Sequence, residues 1–334
     1  SLPIDRKNIL VVGGAGFLGS HLCERLVREA NVICVDNFST GSPQNLERLL
    51  QDPHFELIRQ DVNAGFDVSN YPELDRFHVR VQGVQEIYFL ASPLHHRDQE
   101  GERLAMLQTH SVGLLPFLEM AARYDATFVL ASSSEVYEPS DEAFLAEDAP
   151  LRSHYHGEAS VYAEAKRFAE VLAITSAQTR RFPLRIARLF DLYGPRIRIH
   201  TGHLIPDLIQ AALDGQEVTI DYVEDERLSF CHVKDAVDGL LALAAYQGET
   251  LIMNIGSDQD IRLSVLVDRL SKLAGHTFRV RYSSRATNRS IAFPDLTKAR
   301  QLLHWIPLIR LEEGLASVFD YARSKRQQTS TFSY

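Results

Sequence analysis

The first strong signal along the chain is an unbroken apolar run, Asn8-Ile9-Leu10-Val11-Val12, which runs straight into glycines. A short run without alternation, ended by turn residues, predicts a strand buried on both faces. From Ser20 to Glu29 the pattern shifts to helical spacing, with Leu22, Leu26 and Val27 apolar. A second apolar run, Asn31 to Val35, ends in Asp36. Similar runs at Phe55 to Ile58, Glu86 to Ala91, Ala126 to Ala131 and Leu184 to Leu189 predict further strands. Arg103 to Tyr124 and Ser160 to Gln178 have helical spacing, with apolar residues on more than one face. Asn63 to Gly83 is polar and irregular and reads as a surface insertion. Alternation of this kind predicts an α/β fold, a Rossmann doubly wound parallel sheet covered on both sides.

Beyond Leu189 the alternation breaks down. A turn-rich connection, Phe190 to Arg196, leads to a helix at Leu204 to Leu213 and a strand at Val218 to Tyr222. Phe230 to Ala245 reads as strand then helix, and Leu251 to Asn254 as a strand. Leu263 to Ala274, Phe278 to Tyr282 and Thr297 to Leu303 complete a smaller mixed C-terminal domain. The expected division is a nucleotide-binding domain of residues 1–190 plus roughly 228–257, with a substrate domain of 191–227 plus 258–334.

A net charge of -9 argues against a general nucleic-acid binder. Cys23, Cys34 and Cys231 form neither a disulfide framework nor a zinc pattern, and are expected to be buried small hydrophobes. The tandem His95-His96 has no second cluster of ligands at metal spacing, so no metal is expected. No apolar stretch approaches the ~18 residues of a membrane span. With no signal peptide in view either, a cytoplasmic enzyme is expected.

Gly13-x2-Gly16-x2-Gly19 follows the first strand and opens the first helix, the context that makes a glycine motif a dinucleotide fingerprint. The glycines let the backbone approach a pyrophosphate, whose charge the helix N-terminus favours. Asp36, 17 residues beyond Gly19, would bind the adenosine ribose and repel a 2′-phosphate, which favours NAD over NADP. Asp61 ends the third strand, where a carboxylate could meet the adenine amino group, and Leu90-Ala91-Ser92 ends the fourth.

Ser132-Ser133-Ser134-Glu135 ends the strand from Ala126, and Tyr162 and Lys166 lie four apart on a predicted helix, so they share a face. A tyrosine titrates near ~10, and a neighbouring ammonium is expected to pull that value down. With a serine hydroxyl the three would make a proton-transfer group for a substrate alcohol. Arg196, Arg198 and Arg289 are candidate diphosphate ligands through charge-assisted bonds.

Together with Tyr193-Gly194-Pro195-Arg196, these motifs resemble the extended short-chain dehydrogenase/reductases that act on nucleotide sugars, over essentially the whole chain. Val35 to Gly41, Leu90-Ala91-Ser92-Pro93, Leu130 to Tyr137, Pro294 to Ala299 and Leu311 to Leu315 are most similar to the UDP-glucuronate decarboxylase (UDP-xylose synthase) branch. The resemblance implies a permanently bound NAD, contacted by Gly13, Gly16, Phe17, Leu18, Gly19, Asp36, Asn37, Phe38, Ser39, Thr40, Gly41, Asp61, Val62, Leu90, Ala91, Ser92, His110, Tyr162 and Lys166. It implies transient oxidation at sugar C4 by Ser133, Tyr162 and Lys166, with Ser134 and Glu135 near C5 and C6. Pro93, Asp191, Arg196, Leu204, Arg227 and Arg289 would contact a nucleotide-sugar substrate, expected to be UDP-linked. The two long helices would pair across a two-fold axis into a homodimer.

The substrate end departs from that branch. Its customary arginine five residues before Val233 is Leu228 here, with Arg227 one residue earlier, where a local bulge could restore it. Asp191 and His110 stand at customary asparagine positions, and Glu138 at a glycine. Ser153-His154-Tyr155-His156 lacks the branch's proline and arginine. A 4,6-dehydratase or C4 epimerase built on the same C4 oxidation is the alternative within enzymes. A catalytically silent NAD-binding regulator is the alternative of another class.

Overall fold

The computed structural model describes residues 6–93, 100–140, 142–153, 157, 160–199, 203–283 and 293–331. Seven parallel strands form the central sheet, in the order Leu251–Ile255, Leu184–Leu189, Thr127–Ser133, Glu86–Phe89, Asn8–Val12, Asn31–Asp36, Phe55–Arg59. The first strand is buried at all five positions and sits inside the sheet, as its continuous apolar run requires. Strand order reverses on either side of it, and that switch point leaves a crevice at the carboxyl edge.

Apolar side chains form separate layers. One face of the sheet packs Phe117, Leu118, Ala169, Ala173 and Phe128; the other packs Leu22, Cys23, Ala236 and Leu240. A further core, built from Leu204, Leu208, Leu228, Leu266, Leu270 and Phe319, belongs to the C-terminal elements. Val218–Ile220 and Val280–Tyr282 pair parallel beside it. Leu296, Ala299 and Trp305 are buried with the sheet instead, and the indole N–H of Trp305 donates to the Asp235 carbonyl at 3.0 Å. The stretch around Thr297–Leu303 therefore packs on the nucleotide-binding side of the expected boundary.

Two expectations need correction. The stretch 103–124 is not one helix but two, Glu100–Thr109 and Leu115–Tyr124, separated by a turn at residues 110–114. Pro116 lies in the first turn of the second helix, where a missing N–H costs nothing. Nor is 63–83 a surface insertion. Its short 3₁₀ turns bury Phe66, Val68, Leu74, Phe77 and Val79, and Phe66 stacks on Phe117 at 5.2 Å. The polar residues hid this because such turns have no long apolar period. All three cysteines are buried and free.

Candidate functional site

The glycine turn is built from close backbone approaches. Gly13 has φ +84°, and a Cβ there would lie 2.7 Å from the Ala91 backbone nitrogen. A Cβ at Gly19 would lie 2.2 Å from the Gly13 carbonyl oxygen. Phe17–Leu26 starts at Gly16 with no side-chain cap and no acid in its first turn, so its free N–H groups favour an anion. Asp36 ends the neighbouring strand with its Oδ2 accepting from the Ala15 N–H at 2.9 Å and its Oδ1 from the Phe38 N–H at 2.8 Å. Burial pushes this carboxyl upward, against those two N–H groups. Phe38 takes a left-handed φ of 59° to close the turn, and Gly41 packs onto Ala15.

The remaining predicted cofactor positions lie along the same edge. The Leu90 N–H donates to the Val12 carbonyl at 2.8 Å, which sets Ala91 under Gly13 and leads to Ser92 and Pro93. Asp61 is exposed and caps the turn holding Val62, its Oδ1 accepting from the Asn63 N–H at 2.9 Å. Asn37 accepts from Ser39 N–H at 2.9 Å, and the Thr40 carbonyl accepts from Arg198 at 3.3 Å. A cradle that any Cβ would fill, an uncapped helix start and a carboxylate one strand away suit a dinucleotide: the first two for its pyrophosphate, Asp36 for its ribose.

At the end of Thr127–Ser133, the Ser133 hydroxyl hydrogen-bonds Tyr162 and accepts from the Glu135 N–H at 3.2 Å. Lys166 comes from the same helix, Val161–Arg180, one turn on. The residue is 3% exposed, and its ammonium donates to the Ala131 carbonyl at 2.9 Å and lies 5.6 Å from the Tyr162 ring centroid. The helix brings serine, tyrosine and lysine together as its spacing requires. The expected electrostatics differ, however. Desolvation, then Glu135 and Asp191, push the Tyr162 hydroxyl up, against its bond to Ser133. Burial brings Lys166 down to about 8, offset partly by Glu170 and Glu135. The tyrosine is thus not acidified by this arrangement: burial, and after it the two facing carboxylates, outweigh its bond to Ser133.

A buried polar network backs the trio. Glu170 accepts from Ser132 Oγ at 2.5 Å and from the Arg188 guanidinium at 3.0 and 2.8 Å. Arg188 also donates to the Glu147 carbonyl and stacks over Tyr137, whose hydroxyl donates to Asn254 at 2.5 Å. Sequence reading missed these residues; a Glu on the helix one turn past Lys166 was the available signal. His110 sits in the turn between the two shorter helices. Its Nδ1–H donates to the Met106 carbonyl at 2.9 Å, and Nε2 has no partner among the described residues. Burial, then Lys166, bring it down to about 3, so the ring is neutral.

Next to the trio lies a cavity of about 180 Å³ lined by Ser134, Glu135, Glu138, Arg152, Asp191 and Leu228 among others. Ser134, Glu135 and Asp191 meet at this one cavity. Arg227 is not: no bulge turns it inward. It lies on the exposed side of the strand Arg227–Ser229, ion-paired with Asp260, while Leu228 takes the cavity side and is 3% exposed. Only the first residue of this strand is exposed; Leu228 and Ser229 are both buried and line the cavity. Arg196 is also committed elsewhere, donating to Glu24 at 2.5 Å and Ser20 at 3.2 Å on the first helix. Leu204 is buried in the C-terminal core. Arg289, like His95 and His96, lies outside the described residues. No three potential metal ligands cluster among the described residues.

The profile of the NAD dependent epimerase/dehydratase family matches residues 9–256. The chain belongs to that family. It is 32% identical to UDP-glucuronic acid decarboxylase 1 of Xenopus tropicalis over 99% of this chain and 75% of that protein. It is 34% identical to UDP-glucuronic acid decarboxylase 5 of Arabidopsis thaliana, over 93% and 88% of the two chains. Among solved structures, UDP-glucuronic acid 4-epimerase from Bacillus cereus in complex with NAD superimposes with a TM-score of 0.80 at 23% identity, over 95% of this chain and 99% of that one. An epimerase from Methanothermobacter thermautotrophicus gives 0.83 at 23%, over 98% and 96%. Both share the Rossmann architecture expected from the strand–helix alternation. The family makes the chain an NAD-dependent enzyme, so the silent-regulator reading falls.

Proposed function

We propose that the chain oxidises C4 of a UDP-linked uronate and removes its carboxyl group as CO2, converting UDP-glucuronate to UDP-xylose or its 4-keto form. The observation that carries this is the Ser133–Tyr162 hydrogen bond above the buried Lys166, in a chain similar along nearly its whole length to UDP-glucuronic acid decarboxylases. When bound, NAD⁺ supplies the acceptor for the C4 hydrogen and can return it. Tyr162 acts once it has given up its own proton, a phenolate that Lys166 and the positive charge a bound NAD⁺ would bring both favour; it then takes the proton of the C4 hydroxyl while Ser133 hydrogen-bonds the same oxygen. The C4 ketone places the C5 carboxylate β to a carbonyl. The C5–C6 bond then breaks, its electron pair passes to the ketone oxygen as an enolate, and CO2 leaves. Ser134 and Glu135, at the cavity wall, are the groups placed to hold and reprotonate that enolate.

Residues 1–190 with 228–257, joined by the packing around Trp305, bind the cofactor; the remaining C-terminal elements bind the nucleotide sugar. Leu104, Leu107, Val112, Phe168 and Val171 are exposed on or beside Glu100–Thr109 and Val161–Arg180, an apolar surface suited to a homodimer. No helix among the described residues is long and apolar enough to cross a membrane. Three buried free thiols suit the cytoplasm.

Incubating the chain with UDP-glucuronate and NAD⁺ tests the reaction. CO2 released in proportion to substrate consumed supports it. No CO2, together with a 4-keto hexose or a C4 epimer formed from a UDP-hexose, replaces it with the dehydratase or epimerase reading.

A further inference from the structure

We propose that Arg152 recognises the carboxylate of the uronate, the task from which Arg227 is turned away. This rests on the reading above that the substrate is a nucleotide-linked uronate.

Arg152 is the only arginine or lysine between Ser133 and Lys166, a stretch otherwise rich in acids. Its backbone is fastened to the catalytic turn. The Arg152 N–H donates to the Val136 carbonyl at 2.9 Å, the Glu138 N–H donates to Pro150, and Tyr137 bridges to Leu151. Its Nε donates to the Glu135 carbonyl at 2.8 Å, so the side chain lies along the turn that carries Ser134 and Glu135. That one bond leaves the two terminal nitrogens without a hydrogen bond or ion pair among the described residues. A planar fork with both ends free is suited to a carboxylate.

The cavity's charges require such a group. Glu135, Glu138 and Asp191 line it, Leu228 contributes only apolar surface, and Arg152 is the one cation among its described lining. A carboxylate entering among three others is disfavoured unless a cation offsets them. The lining also places Arg152 beside Ser134 and Glu135, the residues assigned to C5 and C6.

Binding to the full-length chain loaded with NAD⁺ tests this, in a Tyr162→Phe background that prevents turnover. UDP-glucuronate is compared with UDP-glucose and UDP-xylose, which lack the carboxylate. Arg152→Gln is expected to weaken UDP-glucuronate by about 10- to 100-fold, the worth of a charged hydrogen bond, and to leave the other two within about twofold. Arg152→Lys is expected to recover part of the loss, since the charge remains without the fork. Equal weakening of all three ligands would overturn the proposal, because Arg152 would then only support the turn. So would unchanged binding of UDP-glucuronate. If the chain with Arg152 intact holds UDP-glucuronate no better than UDP-glucose, the uronate reading itself fails and takes this proposal with it.

Discussion

The cofactor end and the substrate end of the crevice are built from different materials. Around Gly13 and Gly19 the geometry is backbone against backbone, and the closest approaches are fixed by the absence of a side chain. Around the cavity, Arg152, Glu135, Glu138, Asp191 and Leu228 come from four separate segments, and side-chain identity and direction decide the chemistry. A backbone cradle tolerates almost no substitution at its contact points. A side-chain cavity can exchange one cation for another, provided some residue of the same charge reaches the same place. That contrast accounts for a chain with the glycine turn and the Ser133–Tyr162–Lys166 trio beside a leucine, Leu228, at the position where the resemblance implies an arginine.

The largest expected effect is at the junction of the two ends. Tyr162→Phe removes the group proposed to take the C4 proton, and kcat is expected to fall by about 10²- to 10⁴-fold with nucleotide-sugar affinity retained. Steady-state kinetics and a binding titration separate the two quantities. Next comes the cradle. Gly19→Ala places a methyl 2.2 Å from the Gly13 carbonyl, and backbone has to move to admit it. A loss of about 1–3 kcal/mol in thermal stability and a sharp fall in NAD affinity are expected, read by thermal unfolding with and without NAD. A Gly19→Ala chain that bound NAD normally would break the contrast.

The pH response should be smaller and has a definite sign. Burial lowers Lys166 to about 8, below its ordinary value of ~10.4. The folded chain therefore loses this proton before the unfolded chain does. The cost of burying the ammonium is carried in full below pH ~8 and shrinks as pH rises toward ~10. Activity that needs the ammonium moves the opposite way, falling as pH passes through about 8. The pH profile of kcat at saturating substrate checks this. The smallest effect is expected at Arg227. It is exposed and paired with Asp260, so Arg227→Gln should leave KM for UDP-glucuronate within about twofold. A tenfold rise would show that the strand can turn this residue inward.

The same contrast separates what could be read from the sequence from what could not. Gly13, Gly19, Asp36, Tyr162 and Lys166 are brought to the crevice by fixed local spacing, and the sheet follows from strand–helix alternation, so their positions were legible. The break near Gly113 and Pro116 was signalled by those residues, but continuous helical spacing on either side masked it. Phe66 and Phe77 become core only by folding back on Phe117, which no local period records. Arg196 spends its charge on Glu24, which is 172 positions away along the chain. Arg227's absence from the cavity depends on which residues of a three-residue strand look inward, and only Leu228 and Ser229 do. Tyr162 shows the limit most plainly: its partner lysine was visible, but the opposing Glu135 and Asp191 act only through the tertiary fold.

The central claim is that C4 of the sugar gives up its hydrogen beside Tyr162, and UDP-glucuronate deuterated at C4 tests it most directly. Turnover is expected to slow with the label, and the deuterium to be found at C4 of UDP-xylose or, if the ketone is released, on the nicotinamide. Turnover at an unchanged rate with the deuterium lost to water would contradict it.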